Sequence, residues 1–121
     1  MTYAAITGWG KCMPPAVLTN ADLATFLDTN DEWITSRTGI KERRISHVPL
    51  SDLAYVSTMR ALACAGLDPA DVELIVFGCC SYDDQVPNQA SGLQAQLGAK
   101  KAASMDVNTA CTSFLYSLST A

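Results

Sequence analysis

The sequence predicts an α/β fold, and three observations carry that reading. From Ser51 onward the chain alternates helix, strand, helix, strand, helix, the order of an α/β architecture. Leu74-Ile75-Val76-Phe77 is a continuous apolar run, which suits a strand buried on both faces of a parallel sheet. Of 121 residues, 49% are hydrophobic and 17% charged, enough apolar material for a core and unlike a disordered chain.

Taken in order, Tyr3 to Gly10 reads as a short strand closed by glycines. Lys11 to Leu18 contains Pro14-Pro15 and reads as a loop. Asn20 is suited to cap a helix through Leu27, with Leu23, Phe26 and Leu27 on one face. Asn30 is suited to cap a second helix that has Asp31 and Glu32 in its first turn, carries Trp33 and Ile34, and stops near Thr38-Gly39. Ile40 to Ile45 alternates as an exposed strand or ribbon. Ser51 caps a longer helix to about Ala65, with Gly66 just past its end. Asp68 to Asp71 is a turn, and 74–77 is the apolar strand. Ser81 to Asn88 is a polar loop, Gln89 to Leu97 a helix stopped by Gly98, and Ala102 to Val107 a further strand. Thr112 to Ala121 opens a last helix with Phe114, Leu115 and Leu118 on one side.

Composition narrows the function. A net charge of −4 disfavours binding to a phosphate backbone, so no nucleic-acid partner is expected. No apolar run approaches the roughly 18 residues that cross a bilayer, and the start lacks the pattern of a secretory signal. The expectation is a cytoplasmic protein with no membrane partner. The last helix carries no stop signal, and three strands are few for a covered parallel sheet. Residues 1–121 are therefore expected to be the N-terminal piece of a larger domain whose C-terminal remainder is absent.

Cys12, Cys64, Cys79, Cys80 and Cys111 form an odd set without a C-x-x-C pair, and the single histidine, His47, has no second ligand at metal spacing. Reduced, mostly buried thiols and no metal are expected. Gly8-Trp9-Gly10 hints at a dinucleotide fingerprint, but Met13 stands where the third glycine belongs and prolines follow. No Walker A or G-x-S-x-G sequence occurs.

The sharpest feature is residues 105–116, where a short strand passes through a polar turn into a helix with Cys111 at its start. That place favours a thiolate, because free backbone N–H groups and the helix dipole stabilise it. Locally, the cysteine reads as a nucleophile or, the more common case, as a buried residue at a strand–helix junction.

These motifs, in this order, resemble the β-ketoacyl-acyl-carrier-protein synthase III family of the thiolase superfamily. Asp28-Thr29-Asn30-Asp31-Glu32-Trp33-Ile34 followed by Arg37-Thr38-Gly39-Ile40-Lys41-Glu42-Arg43 is similar to its coenzyme A signature. Ala65-Gly66-Leu67 with Leu74-Ile75-Val76 is similar to the helix–strand unit after it, and Asp106-Val107, Ala110-Cys111 and Phe114-Leu115-Tyr116 to its nucleophile segment. The resemblance implies a thiolase-like fold of which this chain forms most of the first of two α/β halves. It also implies a fatty-acid-synthesis acyltransferase that condenses acyl-coenzyme A with malonyl-acyl-carrier-protein as a homodimer, with no cofactor beyond the coenzyme A thioester. A related condensing enzyme of secondary metabolism, or a fragment without turnover, is the alternative.

By the same resemblance Cys111 accepts the acyl group, Trp33 stacks on the adenine of coenzyme A, Arg37 lies along the nucleotide and Thr29 hydrogen-bonds near it. On the residues alone, Trp33 also fits a core position on a short helix, and Arg37, Lys41, Arg43 and Arg44 also fit a solvated basic face. His47 matches neither the histidine nor the asparagine that the family uses for decarboxylation, both of which belong to the later half. Val86 stands where short-chain members carry a phenylalanine that crosses from a partner subunit to close the acyl pocket, and Cys80 stands near a pocket-lining position. The valine implies a deeper pocket and a medium-chain substrate, unless residues elsewhere fill the space.

Overall fold

In the computed structural model, which describes residues 4–121, the chain divides into two units. One is Met13–Val48. The other is Pro49–Ala121 together with the N-terminal segment through Cys12.

In Met13–Val48, strand β1 (Ala16–Thr19) pairs antiparallel with β2 (Glu42–Ile45), from Ala16 opposite Ile45 to Thr19 opposite Glu42. The ribbon at 40–45 is borne out. Its partner corrects the loop expected over 11–18: Pro14-Pro15 only precedes the strand, and proline is tolerated at strand entry. Helix α1 is a single turn, Asn20–Leu23, rather than a helix through Leu27. Thr19, not Asn20, is its cap. The Thr19 hydroxyl accepts from Asp22 N (3.1 Å) and the Asp22 carboxylate accepts from Thr19 N (2.8 Å). Beyond Leu23 the ladder gives way to turns, as the Thr25 hydroxyl takes the Asp22 carbonyl (2.7 Å). Phe26 and Leu27 are consequently exposed instead of forming a buried face. Helix α2 (Asp31–Thr38) is as expected, with Asn30 Oδ1 accepting from Trp33 N (2.8 Å) and Gly39 closing it at φ 71°.

In the other unit, helix α3 (Leu50–Ala65) ends at Gly66, as read from the sequence. Its N-terminus is not capped by Ser51. The Asp83 carboxylate does that work, accepting from Leu50 N (3.2 Å) and Ser51 N (2.9 Å). A 3-10 turn, Pro69–Asp71, follows, and then β3 (Leu74–Gly78), α4 (Gln89–Leu97), β4 (Ala103–Val107), a second 3-10 turn (Ala110–Thr112) and α5 (Ser113–Thr120). β3 and β4 pair in parallel, from Leu74 opposite Ala103 to Gly78 opposite Val107.

Among the described residues, the strand expected over Tyr3–Gly10 is not seen. Tyr3 lies outside the described residues, and Ala4 to Gly10 join no ladder. The glycines have another reason: a Cβ at Gly8 or Gly10 would run into the Ala61 and Ser57 carbonyls of α3. That close approach, rather than a nucleotide turn, explains Gly8-Trp9-Gly10.

The buried core is Leu62 of α3, Leu93 and Leu97 of α4, and Ala99 and Ala102, with Ile75 and Phe77 of β3 packed against it. The alternate residues of β3 face α5, where Leu74, Val76 and Gly78 line a cavity with Phe114, Ser117 and Leu118. Helices thus lie on both faces of β3, as its apolar run requires.

Candidate functional site

The turn that carries Cys111 is held from below. After β4, Ala110 takes a left-handed φ of 50°, which costs a non-glycine residue on the order of 1–3 kcal/mol. Ser113 holds this conformation in place. It is buried, its hydroxyl donates to Ala110 O (2.8 Å), and it accepts from Thr109 N (3.0 Å). The Thr112 hydroxyl ties back to Thr109 O (2.7 Å). Gly78 lets α5 approach β3, since a Cβ there would lie 2.6 Å from Ser117 Oγ and 3.0 Å from Ser113 O. Cys111 is exposed on the 3-10 turn just ahead of α5, not on the first turn of the helix itself.

Mostly buried thiols were expected, and the structure corrects this. All five cysteines are free, Cys64, Cys80 and Cys111 are exposed, and Cys12 and Cys79 are half-buried. Cys64 follows Leu62 by two residues, about 200° around the helix from the face that enters the core. Cys80 sits at the start of the loop after β3. Val86, farther along that loop, is 90% exposed. A cleft of about 530 Å3 beside β3 is lined by Cys12, Leu50, Leu53, Ile75, Phe77 and Leu93 among others, but by neither Val86, Cys80 nor Cys111.

Sequence reasoning missed the framework under this loop. Asp106, at the end of β4, accepts from Gln89 N (2.9 Å) and Ala90 N (2.8 Å) at the start of α4, where the helix dipole favours a carboxylate. The buried Gln89 side chain accepts from Asp83 N (3.1 Å), and Asp83 in turn caps α3. Tyr82, in the same loop, has a buried hydroxyl without a partner among the described residues, and burial pushes its pKa up, with Asp106 adding to the rise.

A second group of candidates gathers on α2 and the loop before it. Trp33 is 56% exposed, so its ring is a platform rather than a core residue. Arg37, one turn on, lies 5.7 Å above the ring centroid, a cation–π distance. Asp28, Thr29, Asn30 and Trp33 line a cavity of about 280 Å3. The Thr29 hydroxyl is buried without a hydrogen-bond partner among the described residues. Thr29 and Trp33 thus share one cavity, and Arg37 lies over the Trp33 ring.

The basic run divides. The Arg43 guanidinium donates to Asn20 Oδ1 (2.9 Å) and Leu18 O (3.2 Å), and Arg44 reaches Pro15 O (3.3 Å) and Glu42 (3.9 Å). Both are committed within the fold. His47 is exposed, as expected of a solvated loop histidine. No helix among the described residues is long and apolar enough to cross a membrane.

No family model matches the chain. It is 60% identical over 119 residues to beta-ketoacyl-acyl-carrier-protein synthase III 2 of Vibrio cholerae, a match covering 98% of this chain and 33% of that protein. A crystal structure of 3-oxoacyl-acyl-carrier-protein synthase III from Aquifex aeolicus superposes with a TM-score of 0.89 at 41% identity, over 95% of this chain and 38% of that one. The priming beta-ketosynthase of the R1128 polyketide pathway superposes with a TM-score of 0.89 at 32% identity, over 96% and 35%. The chain spans 33% to 37% of the length of the curated relatives it matches.

Proposed function

This chain belongs to the beta-ketoacyl-acyl-carrier-protein synthase III family, and we propose that the protein carrying it condenses an acyl-coenzyme A with malonyl-acyl-carrier-protein through Cys111. The observation that carries the reading is the Cys111 thiol itself, exposed on a turn strained at Ala110 and clamped by Ser113 ahead of α5. The fold is thiolase-like, and an exposed thiol so placed is open to an incoming thioester.

In this reading the Cys111 thiolate adds to the thioester carbonyl. The carbon–sulfur bond to coenzyme A breaks, coenzyme A leaves as its thiolate, and an acyl-cysteine remains. Malonyl-acyl-carrier-protein then loses CO2. The carbanion formed attacks the acyl carbonyl, expels the Cys111 thiolate, and gives 3-oxoacyl-acyl-carrier-protein. The Cys111 backbone N–H supplies a hydrogen bond to the oxyanion. The histidine and asparagine that the resemblance assigns to decarboxylation lie outside this chain.

Coenzyme A binds on α2. Its adenine stacks on the Trp33 ring, Arg37 lies along the nucleotide, and the unpartnered Thr29 hydroxyl meets it in the cavity between them, a reading supported by their shared geometry. We take the enzyme to be a cytoplasmic homodimer without nucleic-acid or membrane partners. Its Val86 loop reaches a partner's acyl pocket near Cys80, and the substrate is medium-chain, about C6 to C10, because each buried methylene contributes about 0.8 kcal/mol. The second reading is a priming condensing enzyme of secondary metabolism, favoured by the equal TM-score to the R1128 ketosynthase.

One experiment tests these readings: acylation and condensation rates of the full-length protein across an acyl-coenzyme A series, for wild type, Cys111→Ala and Val86→Phe. Acyl label on Cys111, its absence in Cys111→Ala, and a shift to shorter chains in Val86→Phe are expected. Stable acylation of Cys111→Ala would exclude Cys111 as the nucleophile. Failure with malonyl-acyl-carrier-protein while another acceptor works would favour the second reading.

A further inference from the structure

We propose that Asn20 is the positioning residue of the coenzyme A platform, setting the rotation of α2 that presents Trp33 and Arg37. The inference rests on the coenzyme A reading of that helix.

Asn20 is 2% exposed, the most deeply buried polar side chain among the described residues. Both ends of its amide are engaged. Its Nδ2 donates to Asp31 Oδ1 (2.7 Å) and to Ile40 O (2.8 Å), with Thr35 Oγ1 at 3.4 Å. Its Oδ1 accepts from Arg43 Nη2 (2.9 Å). One side chain thereby joins the first turn of α2, the chain just past its end, and β2. Hydrogen bonds from Arg43 and to Asp31 involve charged groups, the stronger class.

The geometry of α2 makes this connection consequential. Asp31 and Thr35 stand one turn apart and face Asn20, and the Thr35 hydroxyl also donates to Asp31 Oδ1 (3.2 Å). Trp33 and Arg37, also one turn apart, follow each by two residues, about 200° around the helix. The face that holds Asn20 and the face that holds the indole–guanidinium pair are therefore opposite sides of one short helix. Apolar packing gives little help in fixing its rotation, because Ile34 is the single buried residue of α2. Removing the Asn20 amide donors would leave the Asp31 carboxylate and the Ile40 carbonyl underpartnered, and α2 free to roll or shift. The platform would then be lost without any change to the residues that touch the ligand.

The test uses the full-length protein. It compares wild type, Trp33→Ala, Asn20→Asp and the exchange Asn20→Asp/Asp31→Asn. Coenzyme A dissociation constants are measured by calorimetry, with kcat and both KM values from steady-state kinetics and circular dichroism as a check on folding. Asn20→Asp keeps the acceptor for Arg43 but sets a carboxylate against Asp31. It is expected to weaken coenzyme A binding about tenfold, near the worth of one charge-assisted hydrogen bond. The KM for malonyl-acyl-carrier-protein and kcat should stay within about twofold. The exchange restores an amide-to-carboxylate bond in the opposite sense and should recover part of the loss, the Ile40 carbonyl remaining without its donor.

Wild-type coenzyme A affinity in folded Asn20→Asp, with Trp33→Ala impaired, overturns the inference. So does an equal loss in kcat and both KM values, which would mark a general structural role. If Asn20→Asp does not fold, the exchange decides: a folded, tight-binding exchange supports the inference, and a weak-binding or unfolded one overturns it. Unchanged affinity in Trp33→Ala instead removes the coenzyme A reading itself, a result separate from either outcome at Asn20.

Discussion

Ser113 is the residue on which the Cys111 turn depends. Its hydroxyl bridges Thr109 N and Ala110 O from a buried position, on either side of the left-handed Ala110. Replacing it by alanine removes both of these hydrogen bonds, each worth about 0.5–1.5 kcal/mol. Ser113→Ala in the full-length protein is expected to lower the melting temperature and slow acylation of Cys111, with coenzyme A affinity unchanged because α2 is untouched. Thermal melts and single-turnover acylation check this, and wild-type values for both would show that the clamp is dispensable. The exposed positions of the proposed residues Cys111 and Trp33 were legible in part, as a thiol at a strand–helix junction and an indole on a short capped helix, whereas Thr29 entered only through the family resemblance. Asn20 and Ser113 were not legible. An asparagine ahead of an apolar run reads as a helix cap, whereas the partners that define Asn20 come from 11 to 23 residues away. Nothing in the local pattern marks them.

At the scale of elements, α3 shows the same limit. Its span and its glycine stop could be read from the apolar spacing, but its cap comes from Asp83, 32 residues beyond Ser51. A serine at the helix start satisfies the local pattern for capping, and only tertiary structure supplies the stronger carboxylate. The Ser51 N–H, foremost among its hydrogen bonds, holds the Asp83 carboxyl below the usual carboxylate range, against the upward push of desolvation. A carboxyl with a depressed pKa stabilises the fold above its unfolded-state pKa and loses that contribution as pH falls through the folded-state value. Asp83→Ala is expected to cost about 1 kcal/mol at neutral pH, the usual worth of a helix cap. The difference from wild type should shrink below about pH 4, where the ordinary carboxylate range ends. Urea melts at pH 7 and pH 3 test this; a gap that widens toward acid would reverse the sign and refute the account. The β1 strand is the other element not foreseen, because Pro14-Pro15 signals a loop while the pairing that makes Ala16–Thr19 a strand lies in Glu42–Ile45. Conversely, 74–77 was legible because an apolar run that short and bounded by turns is too brief for a helix.

At the scale of the whole molecule, exposed apolar surface governs what the 121-residue chain can do by itself. On one helix, α5, Phe114, Leu115, Tyr116 and Leu118 are each more than half exposed. A monomeric soluble protein rarely leaves so many large apolar residues uncovered on one element. The fully buried hydrophobic cluster, by contrast, holds only Leu62, Leu93, Leu97, Ala99 and Ala102. The chain also spans about a third of its curated relatives, and the decarboxylating histidine and asparagine implied by the resemblance are not in it. Groups that act together in catalysis cannot be removed without losses of orders of magnitude. The isolated 121-residue polypeptide is therefore expected to bind the apolar dye anilinonaphthalene sulfonate, to associate in solution, and to form no 3-oxoacyl product. The full-length protein should bind little dye and turn over. Dye fluorescence, light scattering and a product assay on both polypeptides decide it, and a dye-silent 12.9 kDa monomer that condenses substrate would defeat the expectation at every step.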